Sequence, residues 1–208
     1  MKSLLGEDLP SLEGYLFPST YLFTRFTTQK EIVREMVRQF LVAYSEVMEG
    51  PKQLDMKRVE HVTLASIIEK ETGVPEERGL VSSVFHNRLK KGMLLQTDPT
   101  VIYGVAEKTG VMPKNIRKTD LVTPTRYNTY TNKGLPIGAI SNPGKESLVA
   151  ALNPDQSEFL FFVSRNDGTH VFSSTYEQHN KAVREFQMNA KNREGKSWRD
   201  FSRKEKAP

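Results

Sequence analysis

Helical periodicity carries the first part of this chain and stops at Gly92, and that break constrains the fold more than any other feature of the sequence. Ahead of it, Thr28-Gln29-Lys30-Glu31 is a capping-box pattern, in which hydroxyl and carboxylate satisfy opposite ends of one frayed helical turn. The spacing predicts a helix with Val33, Met36, Val37, Phe40, Leu41 and Tyr44 along one face, stopped by Gly50-Pro51. Asp55 is placed to cap a second helix over roughly Met56–Thr72, ended by Gly73-Val74-Pro75. Pro75 at a first helical position predicts a third, with Leu80, Val81, Val84, Phe85 and Leu89 turned inward and Gly92 closing it.

From Gly92 to Gly144 the chain is rich in Pro, Thr, Asn, Gly and Tyr and shows no helical spacing, which reads as long ordered loops with short elements. A helix is expected near Glu146–Leu152 and a buried strand at Phe159–Val163. The Asn166-Asp167-Gly168 turn then leads to a partner strand at His170–Ser173. Ser174-Thr175-Tyr176-Glu177 is a second capping-box pattern and predicts the last helix, while Glu13–Pro18 reads as an aromatic strand or turn. The fold class is therefore α+β: a mainly helical domain with a small antiparallel sheet and long ordered loops.

A chain of 208 residues can hold one domain or two small ones. No apolar run approaches the roughly 18–20 residues of a membrane helix, and no signal-peptide core follows Met1. Any anchor or export signal is expected to lie outside this sequence, and the chain itself to be soluble. Cysteine is absent, which excludes disulfides, thiol catalysis and cysteine–zinc sites. The net charge of +5 resides entirely in the stretch from Lys181 onward, where nine Lys/Arg stand against four Asp/Glu. That tail suits a solvated helix end, or contact with anionic lipid or an acidic polymer. Without a groove-reading motif, nucleic acid is not an expected partner. His61, His86, His170 and His179 form no H-x-x-x-H pair, so no metal site is expected.

Glu69 and Glu71 are the candidates for chemistry. At about 100° per residue, Thr63, Ser66 and Lys70 make a narrow polar stripe on the second helix. Glu69 falls between Val62 and Ala65, and Glu71 between Leu64 and Ile67, so both carboxyls share an apolar arc where desolvation raises their pKa. Glu71 also sits at the negative end of the helix dipole. A carboxyl kept protonated near neutral pH is what a general acid requires. The same positions suit two half-exposed glutamates without chemistry, and position alone does not separate these readings. The loop segments Leu95–Thr100, Tyr127–Tyr130 and Ser141–Gly144 are dense in uncharged hydrogen-bonding groups and aromatics, a mixture that binds sugars and also builds ordinary turns.

Read in order, Leu64–Thr72, Phe85-His86-Asn87-Arg88-Leu89, Leu95–Gly104, Tyr127–Tyr130, Gly134-Leu135-Pro136, Ile140–Gly144 and His170-Val171-Phe172 resemble the endolytic murein transglycosylase (YceG-like) family. Glu13–Pro18 matches its upstream block, and the resemblance covers about residues 12–187. It implies a lyase of the bacterial cell envelope that cuts nascent peptidoglycan strands internally, ending their elongation, and needs no cofactor. The bond would be that between N-acetylmuramic acid and N-acetylglucosamine, cut without water to leave a 1,6-anhydro end. It further implies glycan strands as partners, peptidoglycan synthases as further candidates, and a native form anchored at the periplasmic face of the inner membrane. The organisation it implies is the end of a LysM-like region over 1–27, a catalytic domain over 28–187 and a basic tail over 188–208.

By the same resemblance Glu71 is the general acid/base, because the Glu71-Thr72 pair is similar to the Glu-Ser pair of other lytic transglycosylases. Glu69 is the second candidate. Gln96, Asp98, Tyr103, Tyr127, Asn128, Tyr130, Ser141 and Asn142 are expected to line the groove, as contacts or as loop supports. A hydrolytic muramidase with Asp98 as second carboxylate, and a non-catalytic glycan-binding scaffold for synthases, remain as alternatives.

Overall fold

The computed structural model describes Leu5, Leu9 and residues 11–189. Helix α1 (Gln29–Glu49) begins with the expected box: the Thr28 hydroxyl accepts from Glu31 N while the Glu31 carboxylate accepts from Thr28 N. Its buried face is Val37, Phe40, Ala43, Tyr44 and Val47, a one-sided stripe at helical spacing. Helix α2 (Arg58–Glu71) is buried continuously from His61 to Ile68. Thr63 and Ser66 are therefore interior rather than a solvent stripe, and Ser66 Oγ both donates to Thr63 O (2.7 Å) and accepts from Ile140 N (3.0 Å). Asp55 does not cap α2. Lys57 occupies that position and makes no side-chain cap bond.

After a 3₁₀ turn at Pro75–Glu77, helix α3 spans Arg78–Lys90, so Pro75 starts the turn rather than the α-helix. The segment after Gly92 departs from the loop reading, because it contains helix α4 (Asp98–Thr109) and the short α5 (Lys118–Val122). Gly104 lies within α4, where a Cβ would collide with the Thr125 side chain, and close packing against that loop offsets the weak helix propensity of Gly and the β-branched residues. Helix α6 (Lys145–Leu152) sits at the centre and packs against α1, α2 and α3. His61 crosses this centre, with Nε2 at 2.7 Å from Leu148 O and Nδ1 at 3.3 Å from Tyr44 OH.

The sheet has two antiparallel strands, β1 (Phe161–Ser164) and β2 (His170–Ser173), with Phe162 opposite Phe172. The apolar run is half-buried rather than enclosed: Phe162 packs on Phe85 and Phe161 on His179, one from each face of the hairpin, and each face is only partly covered. Helix α7 (Tyr176–Val183) starts one residue later than its sequence pattern, with Thr175 as cap and Gln178 completing the box. Residues 190–208 of the basic tail lie outside the described residues, as does most of 1–10. Glu13–Pro18 forms a turn, with Tyr15 edge-on to Phe40 at 5.0 Å. Gly14 takes φ +90°, where a Cβ would fall 2.6 Å from Ala139 Cβ and 2.7 Å from Val62 Cγ1.

Candidate active site

Glu71 is the last residue of α2, and Thr72 turns the chain away by accepting from Val74 N at 3.0 Å. The Glu71 carboxyl thereby faces a cleft of about 440 Å³. Gln96 and Asp98 at the start of α4, Tyr130 from the following loop, and Arg88 from α3 line one part of it. Phe161 and Phe162 of β1 with Tyr176 and His179 of α7 form the other wall.

Thr97, the backbone N-cap of α4, donates its hydroxyl to Glu71 Oε1. Thr97 is itself held, since its N–H donates to Thr129 Oγ1 at 3.1 Å. Burial pushes the Glu71 carboxyl up to about 7 against the Thr97 hydrogen bond; the charge of Asp98 adds to the rise and Arg88 opposes it. Asp98 Oδ1 accepts from Tyr130 OH at 2.6 Å, and burial with that bond raises the phenol so that it stays neutral. Gln96 is exposed and adopts φ 48°, the left-handed region that costs an L-residue about 1–2 kcal/mol. A carboxyl half-protonated near pH 7, opening between hydrogen-bonding groups and aromatic faces, can deliver a proton to a sugar-like ligand.

The sequence model of the YceG-like family matches residues 2–185. The chain belongs to that family. The endolytic murein transglycosylase of Bacillus subtilis is 41% identical over 180 residues, covering 84% of this chain and 48% of that protein. The endolytic murein transglycosylase of Streptococcus pneumoniae serotype 2 is 31% identical over 180 residues, covering 84% and 32%. The crystal structure of a yceG-like protein from Listeria monocytogenes matches with a TM-score of 0.72 at 40% identity, covering 82% of this chain and 55% of that one. The chain thus spans about half the length of the Bacillus and Listeria relatives and about a third of the pneumococcal one.

In this YceG-like chain the cleft collects Glu71, Gln96, Asp98 and Tyr130 from the residues singled out in the sequence. Glu69 is turned away from it: its Oε2 accepts from Gly144 N (3.1 Å) and Ser147 Oγ (2.7 Å), holding the first turn of α6. Tyr103 and Tyr127 pair edge-to-face at 4.7 Å beside Glu13, and burial with the Glu13 charge pushes the Tyr103 phenol up to about 12. Asn128 is fully buried and organises the loop, its Nδ2 donating to the carbonyls of Asp120, Leu121 and Thr123 and its Oδ1 accepting from Tyr130 N. Ser141 donates to Ser66 O, and Asn142 Oδ1 accepts from the N–H groups of Gly14 and Leu16. These last three act as loop supports in this geometry.

Arg88, Phe161, Phe162, Tyr176 and His179 line the cleft without having been singled out as site residues. Arg88 was visible as a charge within the inward face of a helix, four residues after Val84 and three after Phe85. The others read as strand core and helix start, and only the tertiary fold brings them opposite Glu71. Among the described residues no group of three or more His, Asp or Glu is arranged to hold a metal ion.

Proposed function

We propose that the chain carries the catalytic part of an endolytic murein transglycosylase, with Glu71 as its acid and base. The observation that carries this reading is the Glu71 carboxyl itself, pushed up to about 7 by burial at the cleft and held in place by Thr97. Its protonated form gives its proton to the glycosidic oxygen as the bond from C1 of N-acetylmuramic acid to O4 of N-acetylglucosamine breaks. The resulting carboxylate then takes the proton of the muramyl C6 hydroxyl as that oxygen bonds to C1. The products are a free 4-hydroxyl and a 1,6-anhydro end, and Glu71 regains its proton. One carboxyl suffices, whereas hydrolysis employs two across the bond. The cell envelope as the place of action, synthases as partners and strand termination as the outcome belong to the same proposal.

Asp98 lines the same cleft, and this favours a hydrolytic muramidase as the second reading. Its bond from Tyr130 already occupies Oδ1, which argues for support of the groove over activation of water. Digesting uncrosslinked glycan strands and weighing the ends tests both. Anhydro ends support the transglycosylase, ends heavier by one water support the muramidase, and intact strands under all conditions refute both.

A further inference from the structure

Arg88 is only 8% exposed, and its hydrogen bonds run to backbone carbonyls rather than to a carboxylate. Nε donates to Leu160 O at 2.6 Å, and Nη1 donates to Leu95 O at 2.6 Å and to Leu94 O at 3.4 Å. The guanidinium lies over the Phe161 ring, 5.3 Å from its centroid. Among the described residues no Asp or Glu forms an ion pair with it. Thr97 engages Oε1 of Glu71, and Tyr130 engages Oδ1 of Asp98. The nearby Glu71 carboxyl, half-protonated near pH 7, offsets only part of the cost of burying this guanidinium, so the position suits a further acceptor supplied from outside. Its Nη2 makes no hydrogen bond among the described residues and retains donors at the edge of the cleft.

The neighbouring rings form a continuous surface. Phe161 stacks on His179 at 5.1 Å, and Tyr176 lies 5.9 Å from Phe161 and 6.4 Å from His179. Tyr176 is 65% exposed, so its ring is open to a ligand in the cleft that it lines. Burial and the adjacent Arg88 both lower the His179 pKa, so the ring is neutral and does not compete as a cation.

We propose that this wall is the subsite that tells a muramyl residue from an N-acetylglucosaminyl one, Arg88 donating to an oxygen of the lactyl substituent while Tyr176 and His179 carry the apolar face of the sugar. The proposal rests on the glycan-cleaving reading above and deepens it. Along a strand of alternating N-acetylhexosamines, the lactyl ether is the chemical difference between neighbours. Its acyl oxygens are acceptors whether the group is a carboxylate or an amide, and a guanidinium is a pure donor. Aligning that substituent fixes which C1 faces Glu71.

The test uses the full chain with Glu71→Gln, so that ligands bind without turnover, and calorimetry with two tetrasaccharides. One is chitotetraose, which lacks lactyl groups; the other is a peptide-free murein tetrasaccharide bearing lactyl carboxylates. The Glu71→Gln protein is expected to prefer the murein ligand by about 10- to 100-fold, the weight of one charge-assisted hydrogen bond. Adding Arg88→Gln should erase that preference while chitotetraose binding persists, and adding Tyr176→Ala should weaken both ligands together. A preference below twofold before any change at Arg88 overturns the subsite, and needs no Arg88 variant to fold. A preference that survives Arg88→Gln, or equal loss of both ligands in a folded Arg88→Gln protein, overturns the role of Arg88. If neither tetrasaccharide binds and the wild-type chain does not cut strands, the glycan reading itself fails. Strand cutting without lactyl preference sinks the subsite alone.

Discussion

Replacing Glu71 with Gln should stabilise the protein at alkaline pH and hardly at all in acid. The carboxyl stands at about 7 in the folded chain against an ordinary value of 4.5, so folding favours the protonated form. The associated stability is fully present below pH 4.5 and is lost as pH rises through about 7. Over roughly 2.5 pH units at about 1.36 kcal/mol each, the loss is at most about 3 kcal/mol. Solvent reaching the cleft mouth reduces it to about 1–2 kcal/mol. Gln does not titrate, and its amide oxygen still accepts from Thr97 Oγ1, so the variant escapes this loss. At about 2–4 °C per kcal/mol for a chain of this size, the variant should melt some 2–8 °C above wild type at pH 8.5. Near pH 4 the two should agree. Thermal melts of both proteins at half-unit steps from pH 4 to 8.5 measure the difference, in which titrating groups remote from Glu71 cancel. A difference that stays flat with pH would refute the desolvated placement of Glu71. Strand cleavage should fall at least 10²–10⁴-fold in the same variant.

For the wild-type chain the proposed role of Glu71 predicts a falling limb of cleavage rate centred near pH 7, because a general acid must start protonated; a rate still rising at pH 9 would contradict this. Glu69→Gln should keep strand cleavage and lower stability by about 0.5–1 kcal/mol in urea melts, as it weakens a negative charge at the start of α6. Asn128→Ala leaves three carbonyls and the Tyr130 N–H without their partner and should cost about 3 kcal/mol, and an unchanged urea midpoint would show the loop is held otherwise. Gln96→Gly relieves the φ of 48° and should raise stability by up to about 1 kcal/mol after the entropy of Gly is counted, and a loss above 1 kcal/mol counts against strain there.

Local signals carried the parts of the fold that local chemistry decides. The Thr28–Glu31 box, the α1 stripe, the turn at Asn166-Asp167-Gly168 and the β2 bounds all follow from a few adjacent residues. Helix α4 did not, because Thr100, Val101, Ile102 and Gly104 speak against a helix until Thr125 and the Tyr127–Thr129 loop pack on it. The site divides the same way. The helix end and apolar arc marked both Glu71 and Glu69 without separating them; the structure sets Glu71 at the cleft, while Glu69 is drawn off by Gly144 and Ser147, 75 and 78 residues away. The aromatic wall had no sequence signal at all, since nothing in Phe161 or Tyr176 announces which distant carboxyl it will face.

The bond from Arg88 to Leu160 spans 72 residues, and that distance sets a timetable for the newborn chain. Ribosomes release the N-terminal part first, at about 5–20 residues per second. For several seconds Glu71 and Arg88 exist without Leu160, Phe161, Tyr176 or His179, and so without the wall that encloses the cleft. During that interval the Glu71 carboxyl lacks part of its enclosure, and the burial that raises it in the folded chain is incomplete. A chain whose synthesis is broken off before the hairpin lacks that wall, and the cleft is complete only once the ribosome has passed His179.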